Sequence, residues 1–152
     1  MNHEERLAAT GIRLPAAARP AAQYVPCVRT GNLLYVSGQG PVTAEGFVTG
    51  KVGLTLDEAG AKHAARLTGL AILAAVRHEI GSLDNVRRVV KVLGMVNSAP
   101  DFFDHPQVIN GCSELFAEVF GADAGIGARS AVGMGPLPGN IAVEIEAIFE
   151  LA

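Results

Sequence analysis

A chain of 152 residues is the length of one domain and can hide roughly two-thirds of its unfolded surface on folding. With 49% hydrophobic and 18% charged residues and a mean hydropathy of +0.31, it is apolar for a soluble monomer, which points to apolar surface covered by partner subunits. The net charge is −3 and the 12 Lys and Arg residues are scattered, so the basic stripe that tracks a nucleic-acid backbone is missing.

The first 23 residues carry Glu4 and Glu5 where a secretory leader would be basic, and no apolar run follows. A cytoplasmic location is therefore expected. Pro15, Pro20 and an Ala-rich patch suit a short helix or an extended arm (1–23) leading into the main domain, 24–152. From Tyr24, "YVPCVRTGNLLYVSGQGPV" holds two β-rich runs around Gly31-Asn32, a pair able to supply the positive φ angles of a two-residue hairpin turn.

After Gly46, Gly50 and Gly53, Thr55 and Glu58 form a T-x-x-E capping box ahead of a long helical pattern. Ala61, Ala64, Ala65, Thr68, Ile72, Ala75 and Val76 make its apolar stripe, and Gly81 stops it. Its alanines permit close approach to a sheet. The most apolar run, 67–76, is ten residues, about half of the roughly 20 a membrane helix needs. "NVRRVVKVLGMVNS" (85–98) then reads as a strand in which Val86, Arg88, Val90 and Val92 share one face.

A second long helix follows, capped by Asp104 with Pro106 in its first turn and ended by Gly121. "ARSAVGM" and "IAVEIEAIFE" are two further strands, read as a last hairpin around Pro138-Gly139, a pair suited to a type II turn. The order ββ(β)αβαββ predicts an α+β domain, a mixed β-sheet with two helices on one face and the other face left for subunit association.

The chemistry narrows by elimination. "SGQGPV" lacks the phosphate-loop pattern and opens no helix. His3, His63, His78 and His105 show no metal-ligand spacing, so no metal is expected. Cys27 and Cys112 lie 85 positions apart without a CxxC, as reduced structural thiols do, and no serine sits in GxSxG. Arg129, Tyr24, Asn110 and the one-parity row Glu144, Glu146 and Glu150 remain. Taken alone, Arg129 fits a snorkelling surface side chain and the glutamates fit a solvated strand face.

Read together, "YVPCVRTGNLLYVSGQGPV", "NGCSELF" and "ARSAVGMGPLPGNIAVEIEAI" resemble the Rid family of reactive-intermediate deaminases, also called YjgF-like or endoribonuclease L-PSP proteins, over about residues 22 to 150. The A-R-S, L-P and V-E-I-E-A-I of the ending carry the most specific part. The resemblance implies a chorismate-mutase-like fold, a homotrimer with inward-packed sheets, and ligand clefts between subunits. It also implies cofactor-free hydrolysis of small carboxylate-bearing enamines and imines, such as 2-iminopropanoate, to 2-oxo acids and ammonia.

By matching positions, Arg129 would hold the substrate carboxylate and Glu144 would direct water, while Tyr24, Ser37, Gly38, Asn110 and Ala131 would line the cleft. Glu146 points the same way as Glu144 and reads as lining. Ala131 stands where the family carries a cysteine and Ser113 where it carries a tyrosine, and a Gly-rich "GADAGIG" leads into A-R-S. These departures motivate a second reading, a non-catalytic trimer that binds a small carboxylate as a regulator. A ribonuclease is the third, disfavoured by the acidic pI near 5.8.

Overall fold

The computed structural model describes residues 1–152. Helix α1 (His3–Ala9) is followed by an irregular stretch, the hairpin β1 (Cys27–Thr30) and β2 (Leu33–Gln39), and a small second hairpin, β3 (Val42–Thr43) and β4 (Gly46–Phe47). Helix α2 (Glu58–Ile80), strand β5 (Val86–Asn97), helix α3 (His105–Gly125), strand β6 (Ala128–Met134) and strand β7 (Val143–Leu151) complete the chain. The five-stranded sheet has the order β1-β2-β7-β5-β6, antiparallel except for the parallel pair β5 and β6.

The expected α+β architecture is present, with α2 and α3 packed side by side on one face of the mixed sheet. A third helix joins them. Leu7 of α1 enters the core, His3 Nε2 hydrogen-bonds Val86 O, and the Glu4 carboxylate accepts from Arg77 Nη2 at 2.7 Å and Leu83 N at 2.8 Å. Of the two forms open to the N-terminus, residues 3–9 take the helical one.

Several local expectations are corrected. The capping side chain of α2 is Asp57, which accepts from Gly60 N at 2.7 Å, whereas Thr55 Oγ1 accepts from Lys51 N and closes the preceding turn. In the β1–β2 turn only Gly31 takes a positive φ, +59°, which fits the first central position of a type II′ turn. Asp104 stands at the start of α3 but its side chain makes no capping bond. Gly121 (φ +85°) kinks α3 instead of ending it.

Two departures matter for the site. Strands β6 and β7 are not a hairpin, because β5 lies between them and the connection through Pro138–Asn140 crosses its end. Strand β5 also breaks period two. Register shifts at Val86/Arg88 and Val89/Lys91 put Val86, Val89 and Val92 in the core and leave Arg88 exposed. Strand β7 is regular: Val143, Ile145, Ala147, Phe149 and Leu151 are buried, and Glu144, Glu146 and Glu150 face away from the core.

The core closes where α3 lies over β7, with Phe116 and Phe149 edge to face at 5.7 Å between ring centroids. The face without helices displays Val28, Tyr35, Leu93 and Ile148 around Lys91 and Glu146. No helix is long and apolar enough to cross a membrane.

Candidate functional site

Arg129 sits on the edge strand β6. It pairs in register with Val92 of β5, which pairs in turn with buried Ala147, so Arg129 points to the helix-covered side of the sheet. Glycines allow the approach. A Cβ at Gly125 would lie 2.5 Å from Phe116 O and one at Gly127 would lie 2.7 Å from Val89 O, so the GADAGIG segment is tightly seated against its neighbours.

One guanidinium nitrogen, Nη1, donates to Asn110 Oδ1 at 2.7 Å and to Ser113 Oγ at 3.2 Å. Asn110 and Ser113 are three residues apart on α3 and therefore share a face. No carboxylate is paired with Arg129 in any of the four ion pairs of the molecule. The result is a fixed positive charge with free donors, beside a hollow of about 300 Å³ lined by Asn110, Ser113, Glu114 and Gly127. Ala131, two residues on, pairs with Gly94 and packs half-buried against the core.

Glu144 lies on the opposite face of the sheet, paired in register with Met95. Its carboxylate rests against Gly38, where a Cβ would come within 2.6 Å of Oε2. Burial, and then the charge of Glu146, raise the Glu144 carboxyl above the usual carboxylate range. The β2 register shifts between Val36 and Gln39, so Ser37 and Gly38 leave the regular ladder there. Ser37 Oγ donates to Val25 O at 2.6 Å and Ser37 N to Pro26 O at 2.8 Å, which draws the segment bearing Tyr24 alongside. Tyr24 and Gly38 line one cleft together.

Within one protomer the expected residues therefore form two half-sites. Arg129 and Asn110 meet directly, and Glu144 meets Gly38 near Ser37 and Tyr24, but the two groups occupy opposite faces. Two contributors were not identified from the sequence as part of the site. Ser113 shares the guanidinium with Asn110, and only its i+3 spacing signals this. Buried Asn97 accepts from Lys51 Nζ at 2.7 Å and donates to Asn140 Oδ1 at 3.0 Å and Ile141 O at 3.2 Å. It fixes the loop that leads into β7 and Glu144, and its signal is an amide at the end of an apolar strand. No three His, Cys, Asp or Glu side chains converge as a metal site would require.

A mixed sheet backed by helices, with a free arginine on its parallel edge, defines the class as chorismate-mutase-like α+β. The chain belongs to the family described as "YjgF/chorismate_mutase-like, putative endoribonuclease", whose profile matches residues 4–145. It is 44% identical to Protein TCP17 of Trypanosoma cruzi over 142 residues, 93% of this chain and 89% of that one. The crystal structure of Atu1372 from Agrobacterium tumefaciens superposes with a TM-score of 0.90 at 47% identity, covering 99% of this chain and 92% of the other. E. coli TdcF, solved with bound serine, superposes at 0.58 with 28% identity over 92% and 94% of the two chains.

Proposed function

We propose that the protein is a Rid-type hydrolase that converts small 2-imino or enamine acids to 2-oxo acids and ammonia in clefts between the subunits of a trimer. The observation that carries this reading is the Arg129 guanidinium, held by Asn110 and Ser113 and free of any carboxylate partner. A planar cation so fixed matches a substrate carboxylate bidentately. Bound serine in TdcF is an amino acid of the same size class.

Because Arg129 and Glu144 face opposite ways, each cleft takes Arg129 and Asn110 from one subunit and Glu144, Gly38 and Tyr24 from the next. In the reaction, water adds to the imine carbon while Glu144 accepts its proton. Glu144 returns that proton to nitrogen and then takes the hydroxyl proton of the tetrahedral carbinolamine as the C–N bond breaks, so that ammonia leaves and the 2-oxo acid forms. A carboxyl whose affinity for protons is raised suits these transfers better than an ordinary carboxylate. No cofactor is involved in these steps.

The test is hydrolysis of 2-iminopropanoate generated in situ, followed as pyruvate and ammonia. Arg129→Ala is expected to lower kcat/KM by about a hundredfold, the value of roughly 3 kcal/mol for a lost charge-assisted contact. Equal background-corrected rates would sink the assignment. Ala131, which offers no thiol, favours the second reading of a carboxylate-binding trimer without turnover. Arg129-dependent calorimetric binding of pyruvate with no imine hydrolysis would select it. Neither reading uses RNA, and Lys62, Arg66, Arg77 and Arg87 are each paired with a glutamate.

A further inference from the structure

The N-terminal arm encloses space that the reaction above does not use. Residues 13–24 cross α2 without regular structure, yet both ends of the arm are tied down. At one end Glu4 holds Arg77 and Leu83 N while Leu7 enters the core, and at the other Ser37 binds Val25 O and Pro26 O. Between these anchors lies a cleft of about 720 Å³, within the size range of small-molecule sites.

Its floor is Leu67 and Leu70 of α2, its far wall is Phe47, and its roof is Pro15 with short alanines such as Ala17 that leave the volume open. No Asp or Glu lines it, and Arg13 and Arg19, neither in an ion pair, do. An apolar hollow free of carboxylates suits the apolar body of an anion whose carboxylate is held outside it. It meets the Glu144 half-site at two residues: Tyr24 and Gly38 border the cleft, and the missing side chain of Gly38 leaves room for the Glu144 carboxylate.

We infer that this cleft is a side-chain compartment that makes the protein selective for 2-imino acids bearing bulky apolar groups, such as isobutyl or benzyl, over 2-iminopropanoate. The inference rests on the imine-hydrolase reading for the position of the carboxylate and the reacting carbon. With those held near Arg129 and Glu144, the substituent passes Gly38 and Tyr24 and is buried against Leu67, Leu70 and Phe47.

Calorimetry on the intact protein with the unreactive analogues phenylpyruvate and pyruvate tests it without requiring turnover. Phenylpyruvate is expected to bind at least about tenfold more tightly, since each added buried carbon is worth about fourfold. Ala17→Trp, which fills the cleft from the arm, and Ala44→Trp, which fills it from the facing hairpin, should each bring that ratio close to one. A ratio near one in the unaltered protein, or a tenfold ratio that persists in both variants, overturns the compartment. If Arg129→Ala abolishes pyruvate binding while the ratio is one, only the compartment fails. If Arg129→Ala leaves 2-iminopropanoate hydrolysis intact, the hydrolase reading fails and the compartment with it as a substrate selector, whatever the ratio.

Discussion

Gly38 and Glu144 constrain each other: the strand carrying Gly38 leaves the regular ladder, and the space without a Cβ is filled by the carboxylate. That setting raises the affinity of Glu144 for a proton, first through burial and then through Glu146. Since the folded pKa is above the unfolded one, the native state binds more protons, and the stability associated with Glu144 falls as pH rises through that window. Glu144→Gln removes the penalty. Its melting temperature, compared with the unaltered protein by thermal denaturation, is expected to be higher at pH 8 and the same at pH 4. A pH-independent difference would show that the carboxyl does not titrate as described. Burial pushes the thiols in the opposite functional sense, Cys27 to about 11 and Cys112 to about 12, so neither supplies a thiolate near neutrality. The free arginine and the alternating glutamates were legible as residues, because one charge among small side chains and a strict period of two are both local signals. The hydroxyl of Ser113 at Arg129 was not, since only the meeting of β6 with α3 brings it there.

At the level of elements, the small residues of α2 serve a second partner besides the sheet. A Cβ at Gly111 of α3 would stand 2.0 Å from Lys62 O, and one at Gly69 would meet Leu115 Cδ2 at 2.9 Å. The tightest approach is helix to helix, on top of the contact with the sheet. Gly111→Ala must push backbone from backbone, an overpacking of about 3 kcal/mol, and should lower the melting temperature by about 6 °C or more. Gly135→Ala, with nothing within 4 Å, is the matched control and should melt within about 2 °C of the unaltered protein. Similar melting of both variants would disprove the close contact. Helix α2 was legible because its stripe is long and periodic. Strand β5 was legible as a strand but not in its facing, because two bulges shift the alternation and no single residue type announces a bulge. The cap of α2 was misplaced by two residues, since Thr55 and Asp57 both offer a capping oxygen and the turn at Lys51 takes the former.

The whole molecule leaves one sheet face without helices, carrying Tyr35 and Val28 at 45% and 53% exposure beside Leu93 and Ile148. A face of this kind suits subunit association, and the proposed trimer would use it. Sedimentation analysis is expected to give three times the 15.7 kDa chain mass, and Ile148→Glu, placing a charge in the middle of that face, should give the monomer. An unchanged mass would mean that the subunits meet elsewhere. This exposed face followed from counting helices against one sheet, but strand order did not follow, because nothing in the sequence between β6 and β7 reveals that β5 separates them. That order bears on folding. Strand β7 joins β2 to β5, so without residues 143–151 the β1–β2 hairpin and the β5–β6 pair have no strand between them. Closing that central seam demands contacts across most of the chain, which makes assembly of this domain comparatively slow.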